Sequence, residues 1–232
     1  MPYSKSKART EFEKSSDDLL LSSRKASFKN SKISYEHKIL IFQSAIFLLS
    51  ALIEEYLKTF VEDLIFNYKS KNAQLDKIPD NFRSLLLLES QLNSFKTYIN
   101  SGDESKILTR LSTNLPHYKI ILNNEIFTNQ IPPSLIIGTK KYPSIKNLNL
   151  LYNRLGISKI IIEIQKKGKK DYEMMLKSFL DVRETIAHQK APSITIEDVK
   201  RHYSNINEII GMLDRVTYSY ISRKSGSIFW VN

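Results

Sequence analysis

Between residues 35 and 68, apolar side chains recur every three or four positions: Ile39, Phe42, Ile46, Leu49, Ile53, Tyr56, Phe60 and Leu64. That spacing gathers them on one face of an α-helix, whereas the alternating side chains of a strand would scatter them over two. A second set, Ala45, Leu48, Leu52 and Val61, lies on another face. A helix with two apolar faces must be buried on two sides, so the spacing predicts the centre of a bundle. Residues 39–53 are nearly free of charge, but His37 and Lys38 precede them and Glu54 and Glu55 follow. The run falls short of the roughly 20 apolar residues that cross a bilayer, so a core helix is expected and no membrane partner.

The same period runs through the rest of the chain. A helix is predicted over residues 9–29 with Phe12, Leu19, Leu20 and Ala26 inward, followed by Ser31 to Ser34 as turn and cap. Another is predicted over residues 82–98, ending near Gly102. Two short helices follow over 144–155 and 157–165, with Gly156 closing the first, and a basic loop then carries Lys166, Lys167, Lys169 and Lys170. The next helix runs from Asp171 to about His188, with Leu176, Phe179, Leu180, Val182 and Ile186 inward, and Pro192 stops it from continuing far. The last starts at Thr195, with Asp198 placed for a capping box. Its residues Val199, Tyr203, Ile206, Ile210, Leu213, Thr217 and Tyr220 form a seven-residue stripe suited to an antiparallel bundle or a dimer seam.

Only 6 Gly and 7 Pro occur in 232 residues, which favours helices. Pro116, Pro132, Pro133, Gly138 and Pro143 gather in residues 107–143, predicted to be an irregular insertion with one short helix or hairpin. The expected fold class is all-α: a bundle of four to five main helices in a single domain over residues 1–232, preceded by a basic tail at residues 1–8.

With no cysteine, disulfides and thiolate metal sites are both excluded, and a reducing cytoplasm is the expected location. The basic, polar N-terminus lacks the apolar core of a signal peptide. A net charge of +11 attracts polyanions, and RNA, DNA and anionic lipid all qualify. His37, His117 and His202 lack metal-ligand spacing and are expected to be structural or exposed. No glycine-rich phosphate loop or nucleophile elbow is present, and neither metal nor cofactor is expected.

Arg183 and His188 stand at the end of the helix that begins at Asp171. A guanidinium holds a phosphate through a planar fork of donors, and an imidazole exchanges protons near neutral pH. Together they supply what RNA cleavage by its own 2′-hydroxyl requires, without a metal. Five residues on an ideal helix separate two side chains by roughly 140°, so the pair converges only if the helix ends or distorts near Ala187, or if a second subunit completes the site. The structural alternative pairs Arg183 with Glu184 or Asp181 and leaves His188 on the surface. Glu54 or Glu55 is placed to orient Arg183 if it reaches the cleft, and is otherwise solvated. The four lysines either guide an RNA backbone or form a solvated loop.

Three segments in this order resemble the HEPN superfamily, in particular its MAE-type, RiboL-PSP-HEPN-like branch. They are the apolar helix with an embedded acid at residues 49–57, the short helix ending Leu155-Gly156-Ile157, and the segment from Val182 to His188 with its Arg-x4-His. The position after the arginine, often Asn in that superfamily, holds Glu184. The resemblance implies a helical homodimer with two motifs facing one cleft. It also implies a metal-independent endoribonuclease that leaves 2′,3′-cyclic phosphate ends, with Arg183, His188 and Glu184 in the catalytic site. Such proteins serve toxin–antitoxin or phage-defence systems, so an antitoxin or defence partner is expected beside RNA. Other members keep the fold as non-catalytic nucleotide-binding, RNA-binding or protein-interaction modules, which is the competing expectation.

Overall fold

The computed structural model describes residues 2–231 apart from 114–117, 120, 121, 123, 128–131, 139–142 and 189–192. His117 and Pro192 therefore lie outside the described residues, as do the side chains of Glu89, Ser90, Asn93, Thr97 and His188. The fold is all-α, with helices α1 (Lys7–Ser27), α2 (Tyr35–Ser70), α3 (Asp80–Ser101), α4 (Glu104–Thr113), α5 (Pro133–Ile137), α6 (Ile145–Arg154), α7 (Ile160–Gly168), α8 (Tyr172–His188) and α9 (Ile196–Lys224). Among the described residues no strand forms, and Gln74 and Ile126 make an isolated antiparallel bridge.

The two longest helices, α2 and α9, form the centre, and α1 and α8 each pack along both. The helix starts follow from local chemistry. Ser34 Oγ accepts the His37 amide to open α2, and Thr195 with Asp198 completes a capping box on α9. Gly156 takes φ +95°, and its amide and that of Ile157 satisfy the last carbonyls of α6 at Asn153 and Tyr152. The stripe on α9 is spent inside the chain, since Val199, Ile206, Ile210, Leu213 and Thr217 are all buried.

Although residues 39–53 alone fall short of a membrane span, the whole of α2 is long and apolar enough, by length and composition, to cross one. Its residues Ile46, Ile53, Leu57, Phe60 and Leu64 are instead core, at 2% exposure or less. Fully burying one such side chain contributes about 1.5–3 kcal/mol, so this face accounts for much of the bundle's cohesion. The second face is only partly covered. Ala45 and Val61 are buried, but Leu48 is 51% exposed, as is its neighbour Leu40 at 58%.

Two other segments differ from expectation. The basic N-terminus is built into the fold from Tyr3 onward: Ser6 caps α1 and is fully buried, the Lys7 amide donates to Val231 O, and Trp230 Nε1 donates to Ser4 O at 2.9 Å. Asp214 on α9 receives Tyr3 Oη at 2.6 Å and both the amide and hydroxyl of Ser6. Burial raises the pKa of this carboxyl above the ordinary aspartate range, against the lowering effect of those donors. The segment expected as an insertion with one short helix or hairpin over 107–143 holds two helices among its described residues, α4, which starts before it at Glu104 and packs against α3, and α5.

His202 lies under α8 with its ring 5.9 Å from that of Phe179, fully buried, and neither ring nitrogen finds a hydrogen-bond partner among the described residues. Burial, helped by Arg201, lowers its pKa below the usual 6.5. The unfolded chain therefore binds a proton that the folded chain refuses as pH falls below about 6.5, so His202 costs stability on acidification and nothing above that range. His202→Leu should flatten the fall in melting temperature between pH 7 and pH 5.5, leaving the variant roughly 2–4 °C more stable at the lower pH. An unchanged slope would assign the acid sensitivity to other groups.

Candidate functional site

Three contacts seat α8 along α9. Tyr172 Oη donates to Glu208 at 2.9 Å, Lys170 pairs with the same carboxylate at 2.8 Å, and Phe179 meets His202. Asp171 Oδ1 accepts the Met174 amide at 2.9 Å and so caps the first turn. Leu176 and Phe179 are buried, whereas Leu180, Val182 and Ile186 are only half-buried, so the helix rises out of the core as it approaches its end.

Arg183 projects from that emerging turn. Its guanidinium lies over the ring of Phe47 on α2, 4.8 Å from the centroid, and its Nε is buried with no acceptor among the described residues. Stacking on an aromatic face fixes the guanidinium plane at a gain of about 0.5–2 kcal/mol and leaves the in-plane donors free. One sign of this role is legible in the spacing: Phe47, with Leu40, falls in neither apolar set of α2. With Leu40 on the same face of α2 and Leu48 roughly 100° further round, the ring makes an apolar strip 41–58% exposed.

The remaining residues are placed as follows. His188 belongs to α8, which runs unbroken through Ala187, so the helix does not end early to bring the two residues together. Regular turns set positions 183 and 188 roughly 140° apart around the axis. Glu184 is exposed, as are Glu54 and Glu55. Glu54 shares the Phe47 face of α2 two turns further on, roughly 10 Å away. Glu55 instead lines a groove between α1 and α2 with Glu11 and Ser15.

Lys166 and Lys167 are helical rather than in a loop, because α7 continues to Gly168 and the left-handed turn falls at Lys169, φ +54°. Lys166 pairs with Glu163 at 2.9 Å, Lys167 Nζ donates to Arg215 O and Ser219 Oγ, and Lys169 is exposed. Among the described residues no group of histidines and carboxylates could hold a metal ion. His37 is spent on the α2 cap, its Nδ1 2.8 Å from Ser34 Oγ.

The assembled features are a charged fork of donors held on an aromatic ring, a histidine on the same helix, and an uncovered apolar strip alongside. The family described as RiboL-PSP-HEPN has a model that matches residues 11–218, a span that includes α2 and the whole of α8. No curated protein and no solved structure matches the chain.

Proposed function

The chain belongs to the RiboL-PSP-HEPN family, and on that basis we propose that it is a metal-independent endoribonuclease acting at a homodimer cleft. The observation that carries this reading is Arg183, fixed on Phe47 beside an apolar strip left exposed among the described residues. A second copy laid on Leu40, Phe47 and Leu48 would bury the strip and bring two α8 ends to one cleft. There the Arg183 of one subunit and the His188 of the other escape the 140° separation imposed within a single helix.

In this arrangement the scissile phosphate accepts from Arg183 through the guanidinium fork. The RNA's own 2′-hydroxyl attacks phosphorus, with His188 removing the hydroxyl proton as base or returning one to the 5′-oxygen as acid. Arg183 stabilises the charge that gathers on the phosphoryl oxygens at the transition state. Bond breaking leaves a 2′,3′-cyclic phosphate and a 5′-hydroxyl. Glu184, exposed beside the arginine, faces solvent or the partner, where it can orient either group. Family membership further supports a place in toxin–antitoxin or phage defence, with a dedicated antitoxin or defence protein as partner, in the cytoplasm.

The test is incubation of the purified protein with end-labelled tRNA and total RNA in EDTA, followed by analysis of the ends. Cyclic-phosphate and 5′-hydroxyl ends are expected. Binding of both RNAs with no cutting would transfer the assignment to a non-catalytic RNA-binding module.

A further inference from the structure

A cavity of about 440 Å³ opens between α7, α9 and the turn after α6. It is remote from Arg183. Successive contacts run backwards along α9, with Lys167 at Ser219, Tyr172 at Glu208 and Phe179 at His202. Ser219 on the cavity wall is thus roughly 25 Å along α9 from the level of Phe179.

The charges in this cavity are unbalanced. Lys166, Lys167 and Arg223 line it against a single carboxylate, Glu163, which is already paired with Lys166. Neither Lys167 nor Arg223 makes an ion pair among the described residues. Lys167 Nζ is held by Arg215 O at 3.2 Å and Ser219 Oγ at 2.9 Å, which aims the ammonium and leaves its third proton unspent. Its pKa is lowered by partial burial and by the positive Arg215 nearby, the condition that a bound anion would relieve. Ser219 and Arg223 stand one helical turn apart on α9 and so share the wall.

Apolar groups are interleaved with these cations. Ile157, Val216 and the ring of Tyr220 provide apolar surface beside the cations. Gly156 permits this closeness, since a Cβ there would collide with the Tyr220 hydroxyl, and its φ of +95° disfavours any other residue. Cations and hydroxyls beside the apolar side chains of Ile157, Val216 and Tyr220, in a volume typical of small-ligand pockets, suit a phosphoryl group attached to a nucleoside.

We propose that the α7–α9 cavity binds the phosphoryl group of a nucleotide-sized ligand through Lys167 and Arg223, either a free mononucleotide or the phosphorylated end of an RNA strand. The site does not depend on the ribonuclease reading, and its test reads binding alone.

The full-length protein is titrated calorimetrically at low ionic strength with AMP, adenosine and inorganic phosphate. It is also titrated with 2′-O-methyl oligoribonucleotides, which cannot be cut, carrying a 5′-phosphate or a 5′-hydroxyl. AMP should bind at least about 10-fold more tightly than adenosine, with inorganic phosphate as its competitor, and Lys167→Gln and Arg223→Gln should each weaken AMP by about 10-fold. Arg183→Ala should leave AMP binding unchanged, which separates this cavity from the α8 site. Arg223→Glu, an exchange on a solvent-facing side chain, should remove binding while the helical circular dichroism is retained. A 5′-phosphorylated oligonucleotide that displaces AMP where its 5′-hydroxyl counterpart does not identifies a strand end as the source. AMP binding without displacement by either oligonucleotide identifies a free nucleotide. The proposal is overturned if AMP binds no better than adenosine, or if its binding is lost in Arg183→Ala and kept in Lys167→Gln.

Discussion

His188→Ala is expected to slow RNA cleavage by roughly 10²–10⁴-fold, the usual contribution of a positioned proton-transfer group. Arg183→Ala should lose about 10²–10³-fold by removing transition-state charge stabilisation. The two substitutions differ in what else they disturb. Arg183 lies on the half-exposed ring of Phe47, so its removal forfeits about 0.5–2 kcal/mol of stacking while α8 stays anchored by Leu176, Phe179 and Tyr172. Arg183→Lys provides the finer control. It keeps the charge but loses the planar fork, and should recover folding and RNA binding with only a small part of the rate. Helix content by circular dichroism and RNA affinity by filter binding, measured beside the rates, separate chemistry from folding. Retained cleavage in His188→Ala would remove that residue from the mechanism.

The second large effect concerns assembly. Leu48 is 51% exposed in the single chain, so Leu48→Asp places a charge in water and should leave the monomer's stability within about 0.5 kcal/mol. In a dimer closed over Leu40, Phe47 and Leu48, the same carboxylate would be buried without a partner, a penalty of several kcal/mol. Sedimentation velocity should therefore change from dimer to monomer, and RNA cleavage should fall to background although Arg183 and His188 are untouched. A Leu48→Asp protein that stays dimeric and active would mean that the subunits meet elsewhere.

The parts of the fold that follow local rules were legible in the sequence. The three- and four-residue spacing of α2 and α9 marks long helices, and Ser34, Thr195 and Gly156 mark their ends because capping is a matter of neighbouring residues. What escaped depends on distant partners. The N-terminal segment reads as a polar tail because the groups that bury it, Asp214 and Trp230, lie more than 200 positions away. The four lysines read as a loop because a run of lysines around a glycine carries no apolar period, whereas α7 continues to Gly168 and the left-handed residue is Lys169. For the site, Arg183 and His188 stand out by their chemistry, but the Phe47 ring beneath the guanidinium does not. Periodicity identifies faces that become covered, and Phe47 belongs to a face of α2 that remains open in the single chain. The same limit applies to Leu48, whose spacing suggested a second buried face.

The most direct test of a cleft shared between subunits uses a purified heterodimer, co-expressed with two different tags, of one Arg183→Ala subunit and one His188→Ala subunit. Such a dimer retains one complete pairing of Arg183 from one chain with His188 from the other. It should therefore cut RNA in EDTA at about half the wild-type rate, while each parent homodimer stays inactive. A heterodimer as inactive as its parents would contradict the shared cleft, and with it the account given of how Arg183 and His188 act together.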